Sequence, residues 1–149
     1  MTTKRILLAV DHSPRADAVA TIAAETARGA HATVLLLHVA PEPSEVRDGY
    51  GRVVVYADQE SESLRSQGLD YLRAFEAHFA GVPVESVVRF GNPVALILEE
   101  AETFGADLIV VGTAGRSGIG RVLLGSVAER VFGKAPVPVM LVRPVPAAI

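Results

Sequence analysis

Three glycines and one hydroxyl fall in a stretch where together they could hold a phosphate chain. Gly112, Gly115 and Gly125 punctuate the segment from Gly112 to Val131, and Ser126 directly follows the last of them. The apolar run Leu108-Ile109-Val110-Val111 comes before, and an amphipathic segment comes after. A strand, a glycine-rich loop and a helix start in that order can turn backbone N–H groups toward an anion. Glycine lets the main chain approach closely, and the first turn of a helix carries spare donors and the positive end of the helix dipole. Nucleotide binding is the leading reading, and a plain surface turn is the bland one. Other phosphate motifs fail: Gly133-Lys134-Ala135 lacks the hydroxyl a Walker A loop needs, and Gly118-x-Gly120-x-x-Leu123 lacks the third glycine of a dinucleotide fingerprint.

The remaining candidates are single residues. Asp11 closes the first apolar run, as an acceptor for adenine or ribose or as a cap for the next turn or helix. Ser126 reads as a phosphate contact and also as a helix N-cap. His12 stands at the cleft mouth, where ligand contact is the lesser reading. His12, His31, His38 and His78 show no metal-ligand spacing, and His38 within an apolar strand reads as a hydrogen-bonded core residue. Glu99, Glu100 and Glu102 read as a solvated helix face. Nothing marks an activated nucleophile, so no catalytic residue is assigned. The absence of cysteine excludes disulfides, thiolate catalysis and zinc–thiolate sites.

These residues need elements to position them. Five β-type runs, Arg5 to Val10, Thr33 to Val39, Val84 to Phe90, Leu108 to Val111 and Val137 to Val142, alternate with helical patterns. Ser13-Pro14 reads as a helix start, with Val19, Ile22, Ala23 and Ala27 as its stripe and Gly29 at its end. A longer helix is expected from about Asp58 to Phe79, with Leu69, Leu72, Phe75 and Phe79 on one face. Asn92-Pro93 starts another, with Val94, Ile97, Leu98, Ala101 and Phe104 inward and Gly105 at its close. The last helix is expected from Ser126 to about Phe132. Continuous apolar strands alternating with helices imply an α/β fold, a parallel sheet with helices on both faces; right-handed crossovers leave few topologies, and an open doubly wound five-stranded sheet of order 3-2-1-4-5 is expected. Such sheets bind ligands beyond the carboxyl ends of their strands, so Asp11, Val39 and the Gly112 loop are expected together. The stretch from Ala40 to Ala57 is the least legible: Val53 to Tyr56 is either a short strand or the helix entry.

Bulk properties fit one domain over residues 1–149. Half of the residues are hydrophobic and 21% charged. The net charge of −3 and the lack of a basic stripe argue against nucleic acid as the main partner. No apolar run reaches the length of a membrane span, and Asp11 ends the first run too early for a secretory core, so a cytoplasmic protein is expected.

The spacing Gly-x2-Gly-x9-Gly-Ser at Gly112, Gly115, Gly125 and Ser126 resembles the ATP-binding signature of the universal stress protein family. The opening ILLAVDHSPRAD, then LLLHV, FGNPVALILEEAETFGADLIVVGT, LLGSVAERV and APVPVMLVRP resemble that family's successive blocks, over essentially the whole chain. The resemblance implies ATP or another adenine nucleotide in the cleft, with Mg²⁺ on its phosphates, in a stress-response protein that binds or signals rather than turns over substrate. It places Ala9, Asp11, Val39 and Val111 at the adenine. Gly112, Thr113, Gly115, Arg116 and Gly125 fall around ribose and phosphates, and Ser126 and Val127 on the phosphates. Ala114 stands where many members carry His or Arg, which implies altered phosphate affinity unless Arg116 or Arg121 compensates. The family's last strand often pairs across a two-fold, so Val139, Met140, Leu141 and Val142 are the expected homodimer seam. The alternative occupant of that edge is the tail from Pro144 to Ile149. Two other functions stay open: a slow ATPase or adenylyl-transfer enzyme, and a nucleotide-free dimeric interaction protein.

Overall fold

Apolar runs too short and too β-branched to make buried helices form strands, and the amphipathic stretches between them form helices that cover both faces. The computed structural model describes residues 3–12, 15–43, 46–113 and 125–143. In chain order the elements are β1 (Arg5–Ala9), α1 (Ala16–Ala30), β2 (Thr33–Ala40), β3 (Val46–Arg47), β4 (Val53–Val55) and α2 (Ala57–Glu76), the last followed by a 3₁₀ turn, Ala77–Phe79. Then come β5 (Val84–Phe90), α3 (Pro93–Phe104), β6 (Leu108–Gly112), α4 (Ser126–Lys134) and β7 (Val139–Val142).

The main sheet is wholly parallel, ordered β5-β2-β1-β6-β7. For the five long strands alone this is the expected third, second, first, fourth, fifth. The difference is a separate antiparallel ribbon of β3 and β4, which occupies the least legible stretch. Its turn is held by Asp48, whose carboxylate accepts the Tyr50 and Arg52 N–H groups at 2.8 and 3.0 Å, bonds that lower its pKa. Val53–Val55 is strand and Tyr56 is the N-cap of α2, so both readings of that stretch hold for different residues.

Strand parity divides the core. Ile6, Leu8, Val34, Leu36 and Val110 face α1 and α2, whereas Leu7, Leu35, Leu37, Ile109 and Val111 face α3 and α4. In register, Leu7 lies between Leu35 and Ile109. α1 meets the sheet through small side chains, Ala16, Ala20, Ala23, Ala24 and Ala27 with Val19. Ile22, expected inward, is 39% exposed, because the helix rolls to let its alanine face approach closely. Gly29 does not end this helix: it runs to Ala30, and His31 takes the left-handed conformation at φ 55°. Asn92 and Gly105 cap α3 as expected, the Asn92 side chain accepting the Ala95 N–H at 3.0 Å and Gly105 lying at φ 72°. Ser13-Pro14 lies outside the described residues. Among the described residues no helix is long and apolar enough to cross a membrane.

Candidate functional site

The parallel sheet reverses its winding between β1 and β6, and the carboxyl ends of the strands open there into a cleft of about 380 Å³. Its floor is Ala9 from β1, Leu37 and Val39 from β2 and Val111 from β6, all on the α3–α4 side of the sheet. Asp11 and His12 form one rim, and Gly112, Gly125, Ser126 and Val127 form the other. Of the expected site residues, Ala9, Asp11, Val39, Val111, Gly112, Gly125, Ser126 and Val127 are therefore brought together. Thr113 is buried beside them. Gly115 and Arg116, with Ala114 and Arg121, lie outside the described residues.

The start of α4 is built by backbone bonds. The Thr113 N–H donates to the Val142 carbonyl at 2.9 Å, and the Thr113 carbonyl accepts the Gly125 N–H at 3.0 Å. That pair brings together the two ends of the intervening segment. Gly125, not Ser126, is the N-cap, and Ser126 is the first helical residue, so the expected capping role of Ser126 is corrected. Gly125 makes no side-chain cap, having none to offer. The first bond of the helix runs from the Glu129 N–H to the Gly125 carbonyl at 2.9 Å. Helix geometry leaves the amides of Ser126, Val127 and Ala128 without an intrahelical acceptor, and all three residues line the cleft. Donors and dipole thus converge on a mostly apolar hollow.

Gly112 has a packing reason as well. A Cβ there would meet Val19 Cγ2 at 3.1 Å, so the absence of a side chain lets α1 close on β6. The cleft also takes Pro93 and Ile97 from α3, and the buried His38. These were missed as site residues although their elements were read correctly: Pro93 starts α3 directly above the strand ends, and Ile97 is one turn further on. For Ile97 the signal was the common face it shares with Leu37 and Val39.

His38 is the hydrogen-bonded core residue expected, its Nδ1 lying 3.1 Å from the Val10 carbonyl, so that nitrogen carries the proton. Its ring meets that of His12 edge-on, centroids 4.7 Å apart, and His12 lies over Tyr71 at 4.3 Å. The Tyr71 hydroxyl donates to the Asp11 carbonyl. Burial, then the charges of Asp11 and Asp17, push the Tyr71 pKa up to about 12, which keeps this donor protonated. On the α3 side, Glu99 and Glu102 are exposed as expected, whereas Glu100 is half-buried. Glu100 and Glu99 both bind the Arg89 guanidinium, Glu99 at 3.1 Å, and these bonds, that of Glu100 foremost, raise the Arg89 pKa.

The model of the family described as "Universal stress protein family" matches residues 2–143. The chain belongs to the universal stress protein family. A universal stress protein of Thermus aquaticus is 38% identical over 141 residues, covering 94% of this chain and 98% of its own. The structure of the universal stress protein UspA from Lactobacillus plantarum superimposes with a TM-score of 0.77 at 26% identity, over 96% of this chain and 99% of that one. The structure of a universal stress protein from Archaeoglobus fulgidus in complex with dAMP gives a TM-score of 0.57 at 26% identity, over 95% and 98% of the two chains. The five-stranded parallel sheet flanked by helices is the architecture shared with these universal stress proteins.

Proposed function

We propose that this universal stress protein binds an adenine nucleotide in the cleft between β1, β2 and β6, and acts in the cytoplasm by binding or signalling rather than by turnover. The observation that carries the reading is the start of α4: three amides without intrahelical acceptors, at the positive end of a helix, beside an apolar floor wide enough for a base. The base would lie on Ala9, Val39 and Val111, near Asp11, and the phosphates would meet Ser126 and Val127. The Archaeoglobus fulgidus relative, crystallised with dAMP, supports an adenylate as the ligand class. With ATP, Mg²⁺ would ride on phosphate oxygens, and Asp11 is the carboxylate among the described cleft residues. Isothermal titration with AMP and ATP tests the reading. Saturable binding that Val39→Trp abolishes is expected; no heat with either ligand refutes it.

The proposal extends to a homodimer through β7. That strand pairs only with β6 among the described strands, and Val139, Met140 and Leu141 are all half-buried apolar residues at the sheet edge. An open apolar edge favours pairing with a second copy. Sedimentation at micromolar concentration should give twice the 15.7 kDa chain mass, and a monomer would reject the pairing.

A further inference from the structure

We infer that Tyr71, on α2, is a positioning residue for the cleft: it holds the Asp11–His12 rim in place from behind. This rests on the nucleotide reading of the cleft. The helix α2 covers the face of the sheet opposite the cleft floor, and its core stripe is Leu72, Phe75 and, just beyond it, Phe79. Tyr71 lies off that stripe, half-buried and packed against the border of the core. Its two chemical parts engage two successive rim residues. The hydroxyl donates to the Asp11 carbonyl, and the ring lies 4.3 Å from the His12 ring at a 34° tilt.

The contact is itself braced. Phe75, one turn along α2, packs edge-on against Tyr71 at 4.9 Å, and His38 does so from the sheet at 5.7 Å. His38 is in turn fixed to the Val10 carbonyl, the residue before Asp11. Val10 itself is anchored by its N–H on the Leu37 carbonyl at 2.8 Å. The chain leaves β1 with Val10 tied to β2 and Asp11 tied to α2. A rim held on both sides presents Asp11 and His12 to a ligand with little ordering left to do at binding.

A neutral hydroxyl-to-carbonyl bond corresponds to about a fivefold effect in an equilibrium. The test compares the wild type with Tyr71→Phe, which keeps the ring, and Tyr71→Leu, which removes it. AMP affinity is measured by isothermal titration, stability by circular dichroism melting, and the His12 ring protons by NMR of the unliganded proteins. Tyr71→Phe should weaken AMP about fivefold, move the His12 resonances toward those of free histidine, and leave Tm within a few degrees. Tyr71→Leu should carry both changes further; if it does not fold, Tyr71→Phe carries the test alone.

Unchanged His12 resonances in Tyr71→Phe overturn the positioning role whatever the affinity. Shifted resonances with unchanged AMP affinity overturn its link to the site while the nucleotide reading stands. A wild type that ignores AMP sinks the nucleotide reading, and the His12 resonances then decide by themselves whether Tyr71 holds the rim.

Discussion

Replacing Ser126 by Asp should weaken nucleotide binding while strengthening the fold. Ser126 is exposed, lines the cleft and opens α4. A carboxylate at a first helical residue complements the dipole and adds about 0.3–1 kcal/mol to stability. For a chain of 149 residues that corresponds to a Tm rise of roughly 1–3 °C. The same charge faces whatever anion the α4 amides hold. Two unit charges about 5 Å apart repel by about 0.8 kcal/mol even at the dielectric constant of water. A phosphate monoester carrying nearly two charges roughly doubles this to about 1.7 kcal/mol, close to a 20-fold loss of affinity. Water is the appropriate medium because the side chain is exposed. Titration with AMP at low salt, repeated at about 1 M salt where the screening length falls to roughly 3 Å, should show the loss and then its reduction. Ser126→Ala controls for the hydroxyl. An Asp variant that melts higher yet binds AMP as well as the wild type would refute phosphate binding at this helix start.

Other substitutions test the frame. Asn92→Ala removes the acceptor for the Ala95 N–H and should cost about 1 kcal/mol in urea unfolding. Gly68→Val should lower stability by about 2 kcal/mol, since a Cβ at Gly68 would stand 2.9 Å from Val88 and 3.3 Å from His38; a thermal melt at or above wild type would contradict that packing. His31→Gly should stabilise by up to about 1 kcal/mol by relieving a left-handed conformation at φ 55°, read by the same melt. Tyr71 is acidic and its folded pKa is raised to about 12, so the stability it contributes is complete below pH 10, the pKa of an ordinary tyrosine, and is lost as pH rises from there through 12. Unfolding midpoints of the wild type should therefore fall more steeply over that range than those of Tyr71→Phe.

What could be read along the chain was what repeats locally. Period-two and continuous apolar runs marked the strands, the turns at Asn92-Pro93 and Gly105 marked α3, and the glycines at Gly112 and Gly125 marked the loop ends. Local pattern fell short where a choice depended on how closely two elements approach. Ile22 has the spacing of a core residue, yet the alanines beside it allow tighter contact with the sheet and win the inward face. Glu100 looks like solvent-facing charge until β5 brings Arg89 beside it from 11 residues upstream. Ser126 has the chemistry of a cap, but Gly125, bonded to Thr113, is the N-cap and Ser126 the first helical residue.

By itself the sequence determined the α/β class, the place of the long strands and which of their residues share a face, because parity along a strand and the end of a strand are local properties. Only the tertiary structure decided how the Asp11–His12 rim is held. Tyr71 lies 60 residues from Asp11 along the chain, and no periodicity in α2 announces that its hydroxyl meets that carbonyl. The meeting follows from α2 lying across the sheet close enough that Gly68 has no room for a side chain, a distance fixed by packing and by no single segment.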